Sequence, residues 1–305
     1  MAPLAASHPD VPFPPWHPHY DVWAIMLGVA FLYWQAVRRE RARRPGETVV
    51  SRFQLGCFTG GVAVMWLASD WPIHDLAERY LYSVHMVQHL LFTLVVALLL
   101  LAGTPAWMAR NLLGRGRRLA LVRGMSRPVF GLIQFNLVLV LSHWPTVVTA
   151  TVQHHPLHFV AHAVLLASAL LMWMPIASPL PEIPRAKPPT QMLYLFLQTI
   201  VPTVPASFLT FNSHPLYKIY ETFPRLWGIS ALSDQQVAGL IMKLVGGFYL
   251  WMVIGVIFFR WYADEERHSS ADGVLHWHDV EHELLDDGTA SSEAPVARPP
   301  GAATR

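Results

Sequence analysis

Two histidine pairs carry the chemistry that this sequence announces. His85 and His89 stand four apart in His85-Met86-Val87-Gln88-His89, and His158 and His162 repeat the spacing. On a helix, residues four apart share a face with Cβ atoms about 6 Å apart, so two such imidazoles can ligate one metal ion. Neutral imidazole suits copper, zinc, iron and nickel, while thioether selects Cu(I). Met86 adjoins His85 but points about 100° away around a helix; Met65 is a second thioether within reach. The single cysteine, Cys57, excludes an internal disulfide framework and a Cys-x-x-Cys metal motif.

Both pairs open apolar segments, and such segments must position them. The chain is 53% hydrophobic and 14% charged, where soluble domains are about a quarter charged. Segments of about 20 apolar residues span a bilayer as helices. They fall at about 20–37, 53–68, 83–102, 129–148, 157–177, 192–211 and 237–259, the second being short. Arg crowds alternate connections: Arg38 to Arg52, Arg110 to Arg127, Arg185 with Lys187, and Arg260 with Arg267. By the positive-inside rule this places the N-terminus outside and the C-terminus in the cytoplasm. The expected fold is all-α, a polytopic bundle of seven transmembrane helices over residues 20–262. An external Pro-rich tail (1–19) precedes it and a disordered cytoplasmic tail (263–305) follows. The first residues lack the positive n-region of a signal peptide. The net charge of +2 by itself suggests no partner, and the placement of the charge matters more; the expected partner is the membrane and not nucleic acid.

On this topology the nine histidines outside the tails are all external or in the outer half of the membrane: His74, His85, His89, His143, His154, His155, His158, His162 and His214. A single membrane histidine often only hydrogen-bonds a neighbouring helix, which suits His143 or His214. Loop histidines such as His74 and His155 are usually solvated. Two i, i+4 pairs at one depth are hard to explain as packing, because ionisable groups in membrane segments are costly and functional. The candidate metal ligands are therefore His85, His89, His158 and His162, with His143, His74 and Met86 behind them. A carboxylate such as Asp70 or Asp75 could orient a ligating imidazole. Asp234 reads as an N-cap of the last helix. Lys243, two turns into that helix, is expensive there and has no assigned role.

These residues resemble the caa3-type cytochrome c oxidase assembly factor CtaG family. The matching features run in order over about residues 60–260. They are His85-Met86-x-x-His89 leading to Gly103-Thr104-Pro105; Ser142-His143-Trp144-Pro145; and His158-x-x-x-His162 leading to Trp173-Met174-Pro175-Ile176. Pro215-Leu216-Tyr217 with Tyr220, and Asp234-Gln235-Gln236 with Ala238-Gly239, complete them. The resemblance implies a seven-helix protein of the bacterial plasma membrane that is no enzyme. It would serve cytochrome c oxidase assembly by binding copper and helping it reach an oxidase subunit. A homo-oligomer is left open.

Other classes compete. A haem-binding membrane redox protein could draw axial histidines from the third and fifth helices, although two members of one i, i+4 pair cannot fill both axial sites. A retinal protein would use Lys243, which sits shallow and leaves the histidines unexplained. Di-iron oxygenases of the membrane carry their histidine clusters on the cytoplasmic side.

Overall fold

A computed structural model describes residues 13–271. The described residues are helical, with no strand. Contacts divide the chain into Met1–Ile257 and Phe258–Arg305; in the second, the described part is the end of the last helix. The expected tails fall largely outside the described residues: 1–12 of the first and 272–305 of the second. Residues 263–271 continue the last helix.

The helices are α1 (Tyr20–Arg43), α2 (Arg52–Ser69), the short α3 (Ile73–Arg79), α4 (Tyr82–Gly103), α5 (Ala106–Leu113) and α6 (Arg117–Met125). There follow α7 (Pro128–Ser142), α8 (Pro145–Gln153), α9 (His155–Ala177), α10 (Pro188–Phe211) and α11 (Ala231–Ala271). Five of them, α1, α4, α9, α10 and α11, are long and apolar enough to cross a membrane. The pair α6 and α7, bent by 82°, makes a sixth if it is one span. α2 has 18 residues and begins with Arg52 and Gln54; these polar residues and its glycines keep it below that apolarity. The apolar segment expected at 129–148 is divided. Pro145 has no N–H to donate and pushes Trp144 into extended backbone, so α7 ends at Ser142 and α8 starts afresh.

α4 is central. Its inner face joins α7, α9, α10 and α11 in one core around Trp173, Met86, Met172 and Leu195, while Phe92 and Val96 join α1 and α2 in a second. Close approach sets both contacts. A Cβ on Gly103 would lie 2.5 Å from the backbone nitrogen of Phe58 in α2, and one on Gly239 would lie 2.7 Å from the Ala206 carbonyl in α10. Polar side chains bridge the helices: Asn136 Nδ2 donates to Gln198 Oε1 (2.6 Å), Gln198 Nε2 to Tyr194 OH (3.0 Å), and Tyr194 OH to the Met172 carbonyl (2.8 Å). Where water is absent, such bonds join helices. Phe31, Leu137, Phe196, Phe248 and Trp251 are exposed, as lipid-facing residues are.

Two Arg-rich connections are tied together, since Arg110 Nε meets Glu182 Oε1 at 2.6 Å. The connection after α1 joins them through Trp107 Nε1, which donates to the Val49 carbonyl (2.8 Å). The histidines of α4 and α9 lie at the opposite ends of those helices.

Candidate metal centre

The site begins with how α4 starts. Asp234, in the first turn of α11, accepts the backbone N–H groups of Tyr82 (2.7 Å) and Ser83 (3.0 Å). It therefore caps α4 and satisfies donors that a helix start leaves free. Its own helix is capped by Ser230 instead, which corrects the sequence reading of Asp234. Next to it, Gln235 holds both backbone groups of Tyr217 at 3.0 Å, and Tyr217 OH donates to the His143 carbonyl at 2.8 Å. The Asp234-Gln235 pair thus fixes α4, the loop before α11 and the His143 turn together. Beyond His89, α4 widens into a π turn, Leu91–Val96. Trp173 and Tyr249 donate to its Thr93 and Leu94 carbonyls at 2.8 and 3.1 Å. Such turns concentrate at functional sites.

α4 and α9 bring four imidazoles together. Ring centroids are 4.2 Å apart for His85–His89, 4.3 Å for His158–His162, 4.9 Å for His89–His162 and 5.4 Å for His85–His158. His162 Nε2 lies 3.2 Å from His89 Nε2 and 2.9 Å from His158 Nε2. One nitrogen each from His85, His158 and His162 can lie within 4.8 Å of the others.

Hydrogen bonding alone does not satisfy this arrangement. Glu78 Oε1 lies 2.7 Å from His158 Nδ1. Burial would raise the Glu78 carboxyl, but the bond from His158 and the nearby His74 and His155 hold it down, at about 2. The carboxylate only accepts, so His158 Nδ1 carries a proton, and in the neutral form of the ring Nε2 offers a lone pair. His162 Nε2–H can serve that lone pair, but then His89 Nε2 receives nothing from His162. His85 Nδ1, His89 Nδ1 and His143 Nε2 are also buried without a partner. A bound cation would resolve the conflict. At metal–nitrogen bonds of about 2.0–2.1 Å, two nitrogens on a tetrahedral ion are about 3.4 Å apart, only a few tenths of an ångström from the distances here.

Each expected ligand has a place. His143 caps α7, donates from Nδ1 to the Leu139 carbonyl (2.7 Å), and has its ring 6.1 Å from that of His89. His74, in α3, has Nε2 3.5 Å from Glu78 Oε1 and stacks 6.4 Å from His158; burial pushes its imidazole below the ordinary range, with Glu78 opposing. Met86 is buried in the core and lines, with His89, His143 and Lys243, an apolar cleft of about 640 Å³ including its open mouth. Lys243 sits in a second π turn, Ile241–Val245. His214 is exposed. A polar opening lined by Glu78, His85, His155, His158 and Tyr220 reaches the imidazoles.

Sequence reasoning passed over Glu78. The one hint is its place four residues after His74, on a helix of seven residues that turns both towards α9.

No curated protein and no solved structure matches the chain. The family described as the cytochrome c oxidase caa3 assembly factor matches residues 31–264, which hold α4, α9, Glu78 and Asp234, and the chain belongs to that family of oxidase assembly factors.

Proposed function

We propose that the protein holds one copper ion, as Cu(I), on imidazoles of α4 and α9 and assists its delivery to a cytochrome c oxidase subunit. The observation that carries this is the convergence of His89, His158 and His162 at 2.9–3.2 Å with Glu78 behind His158. His85 completes the set. Neutral imidazoles with no cysteine bind Cu(I), Cu(II) or Zn(II). Charge favours the monovalent ion: an uncompensated charge is expensive away from water, and Cu(I) with the Glu78 carboxylate sums to zero. Glu78 orients His158 in the way carboxylates orient metal-bound histidines. The crowded Nε2 atoms leave no slot for a porphyrin plane, which favours an ion over the haem reading.

On this reading the chain is a multi-pass protein of the bacterial plasma membrane with seven passes, α2 and the bent α6–α7 pair included. The Arg-rich connections lie in the cytoplasm and the N-terminus outside. The site then faces the outer surface. The role is binding and transfer, with no bond made or broken in a substrate.

Metal analysis of the purified protein tests it. Wild type should carry copper removable by a chelator and show no Soret band. His89→Ala should weaken copper binding at least about 10-fold, the floor set by losses at residues that merely support ligands. Unchanged copper affinity in a His85→Ala/His89→Ala variant would remove these residues from the site.

A further inference from the structure

A second group of metal-ligating side chains lies outside the centre just described, where the N-terminal segment crosses α3. His17, His19 and Asp75 place one donor atom each within 4.8 Å of one another. His17 Nε2 is 3.0 Å from Asp75 Oδ1, and His19 Nε2 is 3.7 Å from Asp75 Oδ2. Asp75 is 1% exposed, and its Oδ2 is buried with no hydrogen-bond partner.

The second ring nitrogens decide what lies between these atoms. His17 Nδ1 donates to the Pro15 carbonyl at 3.2 Å, and His19 Nδ1 donates to Asp70 Oδ1 at 2.9 Å. Carbonyl and carboxylate oxygens only accept, so both Nδ1 atoms carry protons. In the neutral form of each ring, Nε2 then presents a lone pair towards one carboxylate. Lone pairs facing a carboxylate repel unless a proton or a metal cation stands between them. The Asp70 carboxylate is itself fixed, by the indole N–H groups of Trp23 (2.7 Å) and Trp66 (3.0 Å) and the backbone N–H of Trp71 (2.8 Å). This is the arrangement in which a carboxylate sets the tautomer of a metal-bound histidine.

We propose that His17, His19 and Asp75 form a second metal site, selective for a divalent transition ion such as Zn2+ or Cu2+. Two imidazoles and one carboxylate suit such ions. The nitrogen–oxygen separations of 3.0 and 3.7 Å bracket the roughly 3.4 Å expected on a tetrahedral ion. The His17 side chain is 37% exposed, so water reaches the remaining positions and the ion enters from outside. Arg79 Nε, 3.9 Å from Asp75 Oδ1, is the neighbouring cation; it lowers affinity without occupying a donor atom. The carboxylate separates this site from the all-imidazole centre, whose buried setting favours a monovalent ion. The His74 ring, 5.2 Å from His19 and 6.4 Å from His158, lies between the two. The two histidines precede the family match, which begins at residue 31, whereas Asp75 lies within it.

The test is stoichiometric titration of the purified full chain in detergent with Zn2+ and Cu2+, which read the proposed outer site, and separately with Cu(I) under reducing conditions, which reads the α4–α9 centre. The expected result is one ion lost in His17→Ala/His19→Ala, with helix content unchanged and the α4–α9 centre still able to load. His17→Ala alone, the exposed and structurally least demanding change, should weaken that ion at least about 10-fold. In a variant lacking His89 and His162, the outer ion should persist. Wild-type stoichiometry and affinity in the His17/His19 variant would overturn the proposal, and so would the absence of any bound ion in the His89/His162 variant, which would mean that protons alone stand between these groups. Failure of the copper reading looks different: the His89/His162 variant would then bind Cu(I) as wild type does, while the His17/His19 change would still remove a divalent ion.

Discussion

Glu78 Oε1 accepts the Nδ1–H of His158 at 2.7 Å and lies 3.5 Å from His74 Nε2. One carboxylate from a short helix therefore sets the tautomer of an imidazole on a membrane-spanning helix. Glu78→Gln keeps the size but removes the charge, and its amide can present N–H where His158 needs an acceptor. The expected result is copper affinity lowered about 10- to 100-fold, as for supporting carboxylates elsewhere, with helix content unchanged. Isothermal titration against a competing chelator measures it. Wild-type affinity in this variant would show that Glu78 does not act on the metal.

The Asp234 cap makes a prediction about positioning. Removing a carboxylate cap costs about 0.5–2 kcal/mol, and here the freed N–H groups of Tyr82 and Ser83 start the helix that carries His85 and His89. Asp234→Ala should lower thermal stability by that amount and weaken copper binding. Asp234→Asn, which still offers an oxygen to one of the two N–H groups, should recover part of both. A variant with lost stability but wild-type affinity would separate the cap from the site.

Asp70 gives a pH dependence. Burial would raise its carboxyl, but the bonds from Trp23, His19, Trp71 and Trp66 outweigh it and hold the group down, at about 2. A carboxyl whose folded value lies below its unfolded value, about 3.9, stabilises the fold fully above that value and loses this contribution as pH falls through the folded value. The stability gap between wild type and Asp70→Asn should therefore be constant above about pH 5, shrink between about pH 4 and 2, and approach zero below. Thermal melts across that range check it. A gap that stays level down to pH 2 would contradict the low value.

The long apolar helices were legible because their signal is local. Runs such as 90–102 in α4 and 163–177 in α9 need no partner to be recognised, and the i, i+4 histidine pairs sit just before them. Pro145 ended α7 earlier than apolarity suggested, because a missing N–H outweighs side-chain composition. The parts that were not legible are relations across long separations. Nothing near Asp234 in the chain says that its carboxylate will cap Tyr82, 152 residues away. His17 and His19 read as members of a Pro-rich tail, since their partners, Asp70 and Asp75, are reached only when α1 and α2 pack side by side. Glu78 was hidden because α3, with seven residues, is too short to show a clear period.

The last prediction concerns the cell. If the α4–α9 centre supplies copper, deleting the gene should lower assembled oxidase activity and leave oxidase transcripts unchanged. External copper should relieve part of the defect, because occupancy of the acceptor follows mass action. A His85/His89/His158/His162 quadruple alanine variant should match the deletion, and the single variants should come close to it, since residues of one site are not additive. Cys57 lies in α2 beyond the reach of the imidazoles, so Cys57→Ser should behave as wild type. A haem-supply role would instead give a defect relieved by haem and not by copper. Oxidase activity and membrane spectra in cells carrying each variant, at matched protein levels, measure all of these. Normal activity in the quadruple variant would remove copper supply by these histidines from the account, while leaving membership of the assembly-factor family untouched.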